Sequence, residues 1–316
     1  MIRFGLCCIF REQPIRFRTT TATSLEGLSR VKVLVKLSEI CLHNSLSLQD
    51  ALAFCSNHGI GSFRIQSGLM PLRTHPKHGY RITELPDANE IRAVLERCRL
   101  LASRKDIRTT FHPDQFVVLN SPRPEVVTSS LGELEHHGEM AELVGADVIN
   151  VHAGGVYGDK EAALDRLASG IDRLSSRVRD RLTLENDDKS YTPQDLLPFC
   201  WREQIPLVYD VHHHRCLPDG FTIREATEMA ITTWNREPLF HISSPILGWK
   251  GSTPERHHDF VNASDFPAEW LGLQITVEIE AKAKELAVLK LVNELNGGPE
   301  KSVTISSQCH VSPCPT

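Results

Sequence analysis

Pro206-Leu207-Val208-Tyr209-Asp210-Val211-His212-His213-His214 opens as a short apolar run of strand-forming residues and ends in one carboxylate and three imidazoles. A strand buried on both faces reads as such a run, and metal-ligand chemistry at its C-terminal end is the pattern of a parallel α/β barrel. Asp210 and His213 stand three apart where the strand runs out, so both can turn towards one centre. Carboxylate oxygen together with imidazole nitrogen suits Zn²⁺, Mn²⁺ or Fe²⁺.

The pattern recurs along the chain. Strands are predicted at 2–8, 60–65, 108–113, 148–152, 182–186, 206–211, 239–243 and 273–280. Helical periodicity lies between them: over 24–57 in two pieces, then at 88–104, 124–144, 160–178, 222–234 and 281–295. Thr192-Pro193-Gln194-Asp195 adds a capped helix start with proline in the first turn. Eight strands alternating with helices predict a (β/α)8 TIM barrel in a single domain over 1–296, with the Ser-, Pro- and Gly-containing stretch 297–316 as a frayed tail. An open doubly wound sheet would offer a Gly-rich phosphate loop after its first strand, and this chain has none.

At 316 residues, 24% charged and 41% hydrophobic, the composition is that of an ordinary globular protein with a sizeable core. The formal net charge of −5 does not announce a nucleic-acid binder, although bound divalent cations would reverse the local field. Nine cysteines, none in a Cys-x-x-Cys pair, point to reduced thiols and a cytoplasmic protein. The apolar start is cut short by Arg11, too early for a signal peptide, and no apolar run reaches the roughly 18 residues of a membrane span. Fifteen histidines are the outlier.

Strands three to eight end in His112, His152, Glu185, Asp210 with His213, His241 and Glu280. Barrel sites form at the C-terminal strand ends, so these groups are predicted to converge on one mouth. Left buried and unpaired they would be costly. They outnumber the four ligands of a mononuclear zinc site, and a bridging carboxylate with two or three ions fits better. The loop after strand seven adds Glu255 and His257 as candidates for a third ion, and His75 is a possible accessory group. Such a centre supports hydrolysis of a phosphate ester. Arg11, Arg16 and Arg18 fall in the loop after strand one, on the mouth side, where phosphate contacts would position a duplex without reading its sequence.

Phe111-His112-Pro113-Asp114-Gln115-Phe116, Asn150-Val151-His152-Ala153-Gly154-Gly155, Leu184-Glu185-Asn186-Asp187, Tyr209-Asp210-Val211-His212-His213 and Ile279-Glu280-Ala281-Lys282 together resemble the UV damage endonucleases, relatives of the endonuclease IV group. Phe63-Arg64-Ile65-Gln66-Ser67 and His75-Pro76 fit the same pattern, so the resemblance runs from residue 1 to about 290. It implies a divalent-metal barrel, often using manganese (zinc and magnesium being the alternatives), that nicks damaged double-stranded DNA immediately 5′ of ultraviolet photoproducts. Some members also act at abasic sites. By similarity His112 and His152 would hold one ion, bridged by Glu185 to a second held by Asp210, His241 and Glu280, with His213 and His257 on a third. Gln115 and Phe116 match the pair that the family pushes into the duplex at the lesion, where a poorly stacked step costs least to open. The chain departs from the family in three places. Phe116 is often Tyr, Leu239 stands where some relatives carry a lysine, and Leu6 stands where some carry a Tyr.

An abasic-site endonuclease and a sugar isomerase of the xylose isomerase type share this barrel and its ligand types. The isomerase needs two ions and a substrate-sized pocket, against which the His213/His257 set and the Gln115-Phe116 wedge count. A damage-binding protein that does not cut would tolerate lost ligands, and here the whole set is present. The resemblance implies DNA as partner; a monomer is expected, since no obligate protein partner is evident, and the missing apolar run predicts no membrane association.

Overall fold

Eight short strands, apolar on both faces, can be buried only inside a closed sheet wrapped by helices, and that is what forms. The computed structural model describes residues 2–297. β1 (Arg3–Cys7), β2 (Ser62–Ile65), β3 (Arg108–Phe111), β4 (Val148–His152), β5 (Leu182–Glu185), β6 (Leu207–Asp210), β7 (Leu239–Ile242) and β8 (Thr276–Ile279) pair in chain order, all parallel, and β1 closes on β8. The register sets the chemistry: His152 lies opposite Glu185, and Asp210 opposite His241.

The helices are α1 (Arg30–Asn57), α2 (Ala88–Arg104), α3 (Pro124–Val144), α4 (Lys160–Ile171), α5 (Ser176–Arg179), α6 (Pro193–Glu203), α7 (Val211–Cys216), α8 (Ile223–Thr232) and α9 (Glu285–Leu295). Four differ from the sequence expectation. α1 is one helix preceded by a single 3₁₀ turn at Thr23–Leu25, not two pieces over 24–57. Its polar middle reads as a break, but each polar group has a partner. Asn44 binds the backbone of Arg18 and Leu69, Ser45 donates to the Cys41 carbonyl, and Ser47 donates to the Arg16 carbonyl. The helix expected to 178 is interrupted after Ile171, where Leu174 turns inward and Glu135 of α3 accepts from Ser175. The histidines after β6, where no helix is predicted, form one, because the Asp210 carboxylate accepts from the His213 N–H at 2.8 Å and caps α7. β8 is shorter than 273–280 and α9 starts at Glu285, so Glu280 stands just past the strand end. Apart from residue 297, the predicted tail lies outside the described residues. Among the described residues no helix is long and apolar enough to cross a membrane.

Candidate active site

Three donors from adjacent strands meet first. Ligand atoms of His112, His152 and Glu185 lie within 4.8 Å of one another, and so do those of Glu185, Asp210 and His241. Glu185 belongs to both groups and is 1% exposed. Its Oε2 lies 3.0 Å from His112 Nε2 and its Oε1 3.1 Å from His241 Nδ1. His112 Nδ1 faces the Pro113 carbonyl at 3.1 Å and so carries a proton. His152 Nδ1, Glu185 Oε1, Asp210 Oδ2 and His241 Nδ1 are buried without a hydrogen-bond partner among the described residues. Polar atoms in that state are costly unless something binds them, so the residues present fit divalent cations.

The electrostatics follow from burial plus pairing. Burial alone would raise the Glu185 carboxyl, but His241, His152 and His112 outweigh it and hold it well below the usual carboxylate range. Burial would likewise lower His241 and His213. Glu185 instead lifts His241 to about 10, and Asp210 with Glu185 and Glu280 lifts His213 to about 9. His152 is lowered, burial dominating over Glu185.

Four groups with no role assigned from sequence hold this arrangement. Arg64 of β2, 7% exposed, donates from Nε to Glu278 at 2.6 Å and from Nη1 to Glu280 at 2.5 Å, and its Nη2 lies 2.8 Å from His241 Nε2. Glu278 also accepts from Thr110, and despite its burial it is held at about 2, chiefly by Arg64. Asn150 donates to Glu185 Oε2 at 2.5 Å while accepting from Thr183. Asn186 clasps the Asp210 backbone on both sides, and its carbonyl faces His213 Nδ1 at 3.0 Å. Spacing gave the signal for Asn150, two residues before His152 and on the same strand face. Arg64 entered only as part of the Phe63-Arg64-Ile65-Gln66-Ser67 stretch of the resemblance.

The other candidates surround this centre. Glu280 Oε1 lies 3.5 Å from His241 Nδ1, and its Oε2 lies 3.8 Å from His257 Nδ1. The His213 and His257 rings are 6.4 Å apart and fall outside the two tight groups. Glu255 lines the same cleft as His257. His75 stands apart, its Nδ1 taken by the backbone N–H groups of Lys77 and His78. Gln115 and Phe116 stand in the loop after β3, Phe116 77% exposed and its backbone fixed by the Asp114 carboxylate. A core role for that ring is thereby excluded. Arg11, Arg16 and Arg18 are exposed on the loop after β1. That loop is gripped from below: buried Glu285 accepts from the N–H groups of Arg11, Glu12 and Gln13, and Asn44 binds Arg18.

The family described as UV-endonuclease UvdE matches residues 2–310. A UV DNA damage endonuclease of Bacillus velezensis is 33% identical, the alignment covering 94% of each chain. A crystal structure of SacUVDE superposes with a TM-score of 0.83 at 30% identity, covering 94% of this chain and 99% of that one. Endonuclease IV from Thermus thermophilus, at 14% identity, shares the fold with a TM-score of 0.60 over 93% of this chain and 98% of its own. With its barrel and nearly its whole length matched, the chain belongs to the UV-endonuclease UvdE family.

Proposed function

We propose that this DNA endonuclease hydrolyses the backbone of double-stranded DNA immediately 5′ of ultraviolet photoproducts, at a centre of two or three divalent ions, manganese being the best fit. The observation that carries the reading is Glu185, which faces two ligand groups at once and leaves an oxygen without a hydrogen-bond partner. His112 and His152 would hold one ion with Glu185, while Asp210, His241 and Glu280 would hold a second. His213 and His257, with Glu255 as an accessory, would serve a third. When bound, such ions activate a water and offset the charge that builds on the phosphate oxygens. The chain's own residues do the placing. Asn150 orients Glu185, Arg64 orients Glu280 and His241, and α7 carries His213 towards the mouth.

Phe116 has the exposure that a wedge requires, and Gln115 beside it supplies hydrogen bonds to unpaired bases. Arg11, Arg16 and Arg18 would contact phosphates. The protein would work as a monomer in the cytoplasm, on the nucleoid.

The test is a labelled duplex with one defined cyclobutane dimer, incubated with Mn²⁺ or with EDTA, beside undamaged and abasic duplexes. A metal-dependent nick directly 5′ of the dimer is the expected result, and Glu185→Gln abolishes it. Cutting confined to the abasic duplex would overturn the photoproduct assignment.

A further inference from the structure

Beside Glu280 the mouth runs into a cleft of about 510 Å³, lined among others by Arg64, Arg256, Lys282, Lys284 and Glu255. Arg64 is committed to Glu278 and Glu280. Among the described residues, Arg256, Lys282 and Lys284 form no ion pair with any carboxylate, and of the two acids that line the cleft Glu280 is held by Arg64, leaving Glu255. Unmatched cations gathered in a concave site beside a catalytic mouth are a place for an anion, because low-dielectric walls focus their field. The excess runs against the chain's net charge of −5, so it is a local feature.

The lysines are also presented on a fixed backbone. Lys282 N–H donates to the His258 carbonyl at 3.1 Å and Ala283 N–H to the Asp259 carbonyl at 2.8 Å. Lys284 is held at φ 54° just before α9, whose first residue, Glu285, grips the loop after β1. Burial raises the Cys7 and Cys8 thiols on the same wall, so they add no competing anion at neutral pH.

We propose that this cleft is a phosphate subsite, in which Lys282, Lys284 and Arg256 hold a phosphodiester of the DNA adjacent to the one that is cut. The inference rests on the endonuclease reading and extends it to the grip on the strand. Holding a neighbouring phosphate acts on substrate binding rather than on the bond-breaking step. Lys282→Gln, Lys284→Gln and Arg256→Gln are each expected to raise KM several-fold and leave kcat within about two-fold. The plot of log kcat/KM against log salt becomes shallower by roughly 0.9 per lost contact. Lys282→Arg restores KM, and Lys105→Gln, at the opposite end of the barrel, changes nothing.

A scan of duplexes carrying one neutral methylphosphonate locates the partner. At one position the parent loses as much as Lys282→Gln does, and the variant loses no more. Unchanged KM and salt slope, a loss confined to kcat, or additive losses at every methylphosphonate position would each overturn the subsite while the parent still nicks. A parent that nicks no duplex would overturn the endonuclease reading itself.

Discussion

Phe116 is a residue whose role depends on what it does not touch. A ring 77% exposed contributes little to the fold, so its removal should be read in substrate handling alone. Phe116→Ala is predicted to lower kcat/KM on the dimer duplex by about tenfold or more, since stacking one base on an aromatic ring is worth about 1–3 kcal/mol. The thermal midpoint should stay unchanged, which a melting curve alongside the nicking assay checks. Asp219 is the opposite kind of residue. Its side chain, 4% exposed, accepts from the N–H groups of Gln194 and Phe221 and from His214. Burial alone would raise its carboxyl, but those donors outweigh it and hold it below the ordinary value. A depressed folded value means stability that is present above the unfolded value near 3.9 and lost as pH falls through the folded one. Asp219→Asn should therefore cost about 2 kcal/mol in urea denaturation at pH 7, a gap that narrows below about pH 4.

At the scale of elements, the loop after β1 shows how a buried acid can serve a surface function. Three backbone N–H groups point at Glu285, which leaves the Arg11, Arg16 and Arg18 side chains outside. Glu285→Ala removes the common acceptor and frees the loop. DNA affinity is predicted to fall about tenfold in a fluorescence anisotropy titration, with a shallower salt dependence and an unchanged metal content. Strands were readable in the sequence because they are short runs of strand-forming residues, six of the eight ending in a ligand type, and the fold follows from counting them. Helix interruptions were not, because they depend on partners far along the chain. Asn44 looks like a breaker until Arg18 is folded against it, and Ser175 looks helical until Glu135 of α3 claims it. The convergence of His112, His152, Glu185, Asp210, His241 and Glu280 on one mouth was legible by position, whereas the Arg64 contacts with Glu278, Glu280 and His241 needed the closed barrel to bring β2, β7 and β8 together.

Across the whole molecule the two ends of the barrel divide the work. At the N-terminal end of the strands Arg3 pairs with Glu237 at 2.9 Å and Arg108 with Asp147 at 2.9 Å, an arrangement that serves stability. At the other end the acids Glu185, Asp210 and Glu280 gather with Arg64 and several imidazoles against them. Divalent ions that bind the folded chain should stabilise it by about 2.7 kcal/mol at a hundredfold excess over Kd. Stripping with a chelator is thus expected to lower the thermal midpoint by about 5 °C, and Mn²⁺ to restore it. The sharing of Glu185 between two ligand groups has a thermodynamic side as well. One carboxylate cannot be ordered for the first ion without being ordered for the second, so occupancy at either position alters affinity at the other. By linkage that factor is the same in both directions, and the order of loading is immaterial to the final state. With an ion in each group, chelator titrations would report two coupled equilibria in place of independent ones.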